Sequence, residues 1–266
     1  MILDTKIQYL PKCIKNISMR SLESDTPVWL SSSFLALTLN TFSDGITILE
    51  NNKIIGYFAS RQLLEFIIKN PTSLALKEKT VKDLPKRDRF VVFSSRNTLR
   101  DILNEWKKSR FAYSAIQDGD KFSSISINSM LGLVDLYDLP NTISEIPKKP
   151  TITYSNDDTV IAVLDKMFHH KVRRLVLENT ADVLSDRIIV GAICDEFDFL
   201  RKTPNFLSVK AKSFNPKTAR EIHPDSKITD VAHNMLNENH YAAISNGQII
   251  SPWDIITKFF EVMDGK

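Results

Sequence analysis

The chain has 266 residues, 42% of them hydrophobic and 25% charged. That is the composition of a globular protein, with length for one large domain or two smaller ones. The net charge is +3 and the longest basic tract is a few residues, as in "KVRR", which argues against a nucleic-acid arm. Two cysteines, Cys13 and Cys194, exclude a disulfide framework and a four-cysteine metal site. The opening "MILDTKIQYLPK" has an acid at position 4 and no long apolar core, so it does not read as a secretory signal. No apolar run reaches the roughly 18–20 residues of a membrane span. These features predict a cytoplasmic protein with no membrane partner.

In chain order, one pattern recurs four times. "WLSSSFLALTLNTFSDGITILEN", from residue 29, reads as a helix and a strand, and "GYFASRQLL" follows from Gly56. "SSRNTLRDILNEWKKSRFAYSAIQ", from residue 94, is followed by "GLVDLYDLP" from Gly132. "NDDTVIAVLDKMFHHKVRRLVLEN", from residue 156, is followed by "GAICDEFDFL" from Gly191. "HPDSKITDVAHNMLNENHYAAISN", from residue 223, is followed by "QIISPWDII" from Gln248. Met167, Met235 and Trp106 each lie seven residues after the first apolar helix position, at Val160, Ile228 and Leu99. With the glycines as register marks, the copies start at 56, 132, 191 and 248.

Each unit reads as strand, helix, strand, strand, helix. In the third unit these are residues near 151–153, 158–170, 174–178, 188–193 and 195–202. Val160, Val163, Leu164 and Met167 recur at helical spacing, whereas "LVLEN" and "RIIVGAI" have the β-branched content of strands. The mixed period implies an α+β layer (α/β-like). A unit of about sixty residues is marginal alone, so four units should form two pairs. The Pro-containing stretch "LPNTISEIPKKP", residues 139–150, is the expected seam. The pairs are then 1–140, with units at about 13–70 and 76–140, and 141–266, with units at about 141–203 and 207–262.

"DDTVIAVLDKMFHHKVRRLVLEN…IIVGAICDEFDFL" and "DSKITDVAHNMLNENHYAAISNGQIISPWDII" resemble the CBS (cystathionine beta-synthase) domain, and the chain resembles a four-CBS protein of the archaeal kind. The resemblance runs from about residue 13 to 262 and leaves no stretch for a catalytic domain. It implies four β-α-β-β-α units paired into two modules, with clefts that hold AMP, ADP, ATP or S-adenosylmethionine. It implies a non-enzymatic regulator whose ligand is an adenine nucleotide, with no required cofactor, acting on an unidentified regulated protein as a monomeric disc or a homodimer.

The family's ligand signature is Gly-x-x-Thr/Ser-x-x-Asp, whose Asp grips both ribose hydroxyls. Ser251 and Asp254 match it, with Gln248 in place of Gly. In the glycine register the second copy offers Gly132 and Asp138, with Asp135 at the hydroxyl position. The third offers Gly191, with Cys194 for the hydroxyl, Phe197 where the acid is expected and Asp198 one residue late. The first offers Gly56 but has Ala59 and Gln62 at the polar positions. The family also places basic residues before the second strand, where they meet phosphates. Here these are Arg173 and Arg174, with His170 and Lys171 behind them. Ile146 and Thr151, in the extended start of the third copy, are the expected cleft walls.

The chemistry suits the residues. One carboxylate can accept both hydroxyls of a ribose. In the first turn of a helix it is kept ionised by the dipole. Guanidinium forks match phosphate oxygens. Plainer readings stand beside these. Ser251-Pro252-Trp253-Asp254 is also a well-formed capping box, and Asp135/Asp138 and Asp195/Asp198 are spaced as cap pairs too. Arg173 and Arg174 alternate on a strand, so at most one faces a given cleft. Trp253 reads as packing. The histidines have no metal-ligand spacing. A ligand-free structural CBS protein, serving oligomerisation or partner docking, is the alternative function.

Overall fold

A computed structural model describes residues 2–11, 19–40, 43–85, 90–195, 205–237 and 242–265. The first unit contains β1 (Ser21–Glu23), α1 (Val28–Asn40), β2 (Ile46–Glu50), β3 (Lys53–Phe58) and α2 (Ser60–Lys69), with an added α3 (Ser73–Glu78). The second contains β4 (Val92–Phe93), α4 (Leu99–Ser109), β5 (Tyr113–Asp118), β6 (Lys121–Ser126) and α5 (Ile127–Asp135). The third contains β7 (Thr153–Tyr154), α6 (Val160–His169), β8 (Arg174–Leu177), β9 (Asp182–Ser185) and α7 (Asp186–Asp195). A short β10 (Lys217–Thr218) precedes the fourth, which contains β11 (Arg220–Glu221), α8 (Ile228–Asn237), β12 (Ala243–Ser245), β13 (Gln248–Ile250) and α9 (Pro252–Asp264).

In every unit the first strand lies parallel to the second, across a helical crossover, and the second pairs antiparallel with the third. The hairpins are tight. Asn51-Asn52 and Asn246-Gly247 supply consecutive positive φ values, as a type I′ turn requires. β10 adds antiparallel to β9 in the third unit's sheet, just before β11 enters the fourth unit's sheet.

Units pair by exchanging their leading segments. Isolated bridges join Lys6 to Thr98, Pro27 to Thr80, Thr142 to Lys227 and Thr159 to Lys210. The turn before one unit thus docks at the first helix of its partner, first with second and third with fourth. Apolar side chains fill the space between paired sheets. Leu49, Tyr57, Phe111, Tyr113 and Ala115 do so in the first pair. Val176, Val183, Ala219 and Ala242 do so in the second. The helices are shared differently. One core joins the helices of units one and three, through residues such as Leu35, Leu63, Val163 and Ile189. The other joins units two and four, through Trp106, Met130, Met235 and Phe259. Each pair therefore buries its sheets internally and its helices against the other pair.

One predicted strand is wrong. "RIIVGAI" lies inside α7, and the third strand of that unit is Asp182–Ser185. Ile189, Val190 and Ile193 are all buried in the helical core, which is helix spacing. A short apolar run with β-branched residues cannot be assigned by periodicity alone. Gly132 likewise lies within α5, not at its start.

Candidate functional site

The fourth unit's second helix begins as its sequence indicates. Ser251 is the N-cap in extended conformation, Pro252 follows at the first helical position, and Asp254 completes a capping box. The Ser251 backbone N–H and its hydroxyl both donate to Asp254 Oδ2, at 2.9 and 2.6 Å. Asp254 is 9% exposed. Its other oxygen, Oδ1, accepts from Lys149 Nζ at 2.6 Å, and the Lys149 side chain is 60% exposed. The carboxylate therefore has one oxygen fixed by its own helix start and one held by an exposed surface cation.

Lys149 belongs to a segment that crosses the fourth unit's hairpin on its way to β7. Gln248 Nε2 donates to the Pro147 carbonyl at 3.2 Å, and the Thr151 hydroxyl donates to the Gly247 carbonyl at 2.9 Å. The Ile152 carbonyl accepts from Val176 N–H at 3.0 Å, and Thr153 pairs with Val176 in register. Thr151 consequently lies beside Arg174, at the start of β8. The crossing segment therefore meets the fourth unit at Asp254 through Lys149 and at Gly247 through Thr151, and then runs into β7 beside the start of β8.

The two arginines part company, because successive side chains of a strand face opposite ways. Arg173 lies on the face of Leu175, which belongs to the helical core shared with the first unit. Its Nε donates to Asp186 at 2.7 Å and its Nη1 to Asp44 at 2.9 Å, while Nη2 reaches the Ser60 hydroxyl at 3.3 Å. Asp44, 1% exposed, also takes Arg187 Nη2 at 2.6 Å. Burial opposes ionisation of Asp44, but Arg173 and Arg187 outweigh it and bring its pKa down to about 2. Burial likewise opposes the charge on Arg173, and Asp186 and Asp44 reverse this to raise its pKa. Arg173 thus ties the third unit to the first.

Arg174 lies on the face of Val176, toward the fourth unit's sheet. Among the described residues no carboxylate forms an ion pair with it. Burial, followed by the nearby Arg187 and Arg173 charges, pulls its pKa down to about 10. Arg174 is half-buried, and Asp186 and Asp44 only partly offset the two neighbouring arginines, a setting that an anion would relieve.

The remaining predicted positions lie elsewhere. Asp135 and Asp138 are at the C-terminal end of α5 and beyond it, not at a helix start. Asp135 Oδ1 is 3.0 Å from His233 Nδ1, and Asp138 pairs with Lys227 at 2.9 Å. They edge an open polar cleft between α5 and α8 that also includes Tyr137, Asp230 and Asn234. Their misplacement follows from the glycine register. Ile146 is 4% exposed and packs in the core of units two and four, so it is not a cleft wall. Lys171 is exposed and left-handed (φ 55°) in the turn after α6, where its N–H bonds the Phe168 carbonyl. Asp198 and Phe197 lie outside the described residues. Lys149, Asp44, Asp186 and Arg187 were not singled out from the sequence. Lys149 stands in the quoted "PKKP", but nothing local to that stretch marks a partner 105 residues away.

No family model and no curated protein matches the chain. Solved structures do. The MJ1225 protein of Methanocaldococcus jannaschii, described as a candidate archaeal homolog of g-AMPK, aligns with 93% of this chain and 98% of its own, at 13% identity and TM-score 0.80. This chain has the four-CBS-domain fold. An uncharacterized conserved protein of Pyrococcus horikoshii aligns over the same shares at 11% identity and TM-score 0.58. A CBS domain protein of Pyrobaculum aerophilum, complexed with AMP, aligns with 46% of this chain and 99% of its own at 16% identity and TM-score 0.35.

The helix starts give the CBS units their structural register. The N-cap positions are Ala59, Ser126 and Ser251, with Ser185 in the same place before α7, where its hydroxyl accepts from the Ile188 N–H at 3.4 Å. The residues three further on are Gln62, Ser129, Ile188 and Asp254. Only the fourth CBS unit has an acid there. In the first, Gln62 Nε2 donates instead to the Tyr57 carbonyl at 3.0 Å. The space between the first two sheets is closed by aromatic rings. Tyr57 packs edge-on to Tyr113 at 5.2 Å between centroids. Its hydroxyl donates to the Val91 carbonyl at 2.7 Å and accepts from Ala115 N–H at 3.1 Å. Tyr113 and Thr47 share a hydrogen bond of 2.9 Å.

Proposed function

We propose that the protein is a non-catalytic regulator that binds an adenosine-containing ligand between its third and fourth CBS units. The observation that carries this reading is Asp254. It is a nearly buried carboxylate at the first turn of a helix, and among the described residues one oxygen is held by an exposed lysine alone. A ribose diol is a natural replacement for that lysine, since one carboxylate can accept both hydroxyls. Arg174, on the face of β8 toward the fourth unit, supplies charge for a phosphate, and the partly buried Ile244 and Ile249 supply apolar surface for a base.

Regulation follows from the neighbours of Arg174. Adjacent Arg173 is bonded to Asp44 of the first unit, so an anion on Arg174 acts on the contact between the two CBS pairs. A ligand shifts that contact only by its differential affinity for two arrangements. Calorimetric titration with AMP, ADP, ATP and S-adenosylmethionine tests the binding. Hydrogen bonds to a charged group contribute about 1.5–3 kcal/mol, so Asp254→Ala should weaken the ligand by roughly 10- to 100-fold. Unchanged affinity in that variant refutes the assignment.

The structural reading applies to the first CBS pair. Its intersheet space is filled by Tyr57, Phe111 and Tyr113, and its helix starts offer Gln62 and Ser129 in place of an acid. We assign that pair a packing role, as the platform against which the ligand-binding pair is held.

A further inference from the structure

The ion pair between Lys149 and Asp254 joins two residues 105 positions apart, at the point where a ribose would dock. We propose that Lys149 is an internal competitor for the ligand, so that its segment, residues 147–151, is an autoinhibitory contact. This rests on the adenosine reading above and adds a device that limits affinity.

The geometry is that of a displaceable plug. Asp254 Oδ2 is committed to the Ser251 N–H and hydroxyl, at 2.9 and 2.6 Å. The oxygen left to meet a ligand is Oδ1, and Lys149 Nζ sits 2.6 Å from it. A diol must take that position and release the ammonium. The release is easy, because the lysine side chain is 60% exposed and its charge returns to water. The carboxylate is 9% exposed and cannot be left bare without cost. The pair therefore satisfies the empty site while yielding to a better partner.

The segment that carries Lys149 is anchored at both ends. On one side Ile143 N–H bonds the Ser226 carbonyl and Ser144 N–H bonds the Pro224 carbonyl, which fixes the segment's start to the fourth unit. On the other side Thr153 and Tyr154 form β7 against β8. Between them, among the described residues, side-chain bonds hold the crossing to the hairpin, from Thr151 to Gly247 and from Gln248 to Pro147. The same segment continues from the α5 side of the second unit.

The test is titration of AMP, ATP and adenosine into the full chain and its Lys149→Met variant. The methionine keeps the stem length and loses the charge, and the exposed position tolerates it. Removing the competitor should tighten binding about 5-fold, the worth of a half-exposed ion pair. Binding by Lys149→Met where the unaltered chain shows none would also support the proposal. Equal or weaker binding by the variant overturns it while leaving the adenosine reading intact. No binding by either chain overturns both. Neutral adenosine separates the effect from phosphate contacts. Its affinity for the unaltered chain should rise with salt, as screening weakens the competing pair, and the variant should lack that rise.

Discussion

Replacing Asp44 with Asn probes the junction between the CBS pairs. Asp44 is 1% exposed and receives Arg187 at 2.6 Å and Arg173 at 2.9 Å. The amide keeps the shape and removes the charge. Arg173 and Arg174 then keep Asp186 as the remaining carboxylate shown to act on them, and Arg187 loses its 2.6 Å carboxylate partner. Breaking a buried pair by deleting one partner costs about 3–5 kcal/mol, because the other charge stays buried. For a chain of this length that lowers the melting temperature by roughly 6–20 °C. Thermal unfolding followed by circular dichroism reads it directly. The acid limb gives a second reading of the same group. Its pKa falls from 3.8 to about 2 on folding. At about 1.36 kcal/mol per pH unit that is roughly 2 kcal/mol. The folded pKa is the lower one, so this stability is fully present above pH 3.8 and is lost as pH falls through about 2. Asp44→Asn should lack that component of the acid-induced loss. A melting temperature within 2 °C of the unaltered chain, with the same acid limb, would refute the argument that this carboxylate holds the arginines.

Other outcomes follow from the same contacts. Tyr57→Phe removes a hydroxyl that donates to Val91 and accepts from Ala115, and should cost about 1–3 kcal/mol in urea unfolding without altering ligand affinity. Arg174→Gln should weaken ATP more than adenosine, by about tenfold or more for one lost charged bond, and calorimetry of both ligands separates the phosphate effect. Asp138→Ala, at an 87% exposed side chain paired with a surface lysine, should leave ligand affinity unchanged, as the corrected helix register requires.

Much of the fold was legible because each unit repeats one order of helices and strands, and because Val160 to Met167 and Ile228 to Met235 carry clear helical spacing. The helix start at Ser251 was legible too, since a capping box is a local pattern. The glycine register failed for a physical reason. Gly132 and Gly191 lie within helices, and the strands they were meant to follow are only six and four residues long. Serine N-caps at 126, 185 and 251 were the better markers, since a side-chain oxygen at a helix start answers a definite need of the backbone. The ion network was not legible. Arg187 and Asp44 are 143 residues apart, and Ser60 and Asp186 are 126 apart. Only the packing of the first unit on the third brings them together. The same holds for Lys149, whose partner is fixed by how the crossing segment lies on the hairpin.

The most direct measurement is calorimetric titration of AMP, ADP, ATP and S-adenosylmethionine into the unaltered chain and into Asp254→Ala. The account predicts that at least one of the four binds the unaltered chain, with affinity lost by roughly 10- to 100-fold in the variant. Absence of binding by all four, or equal binding by both chains, would contradict it.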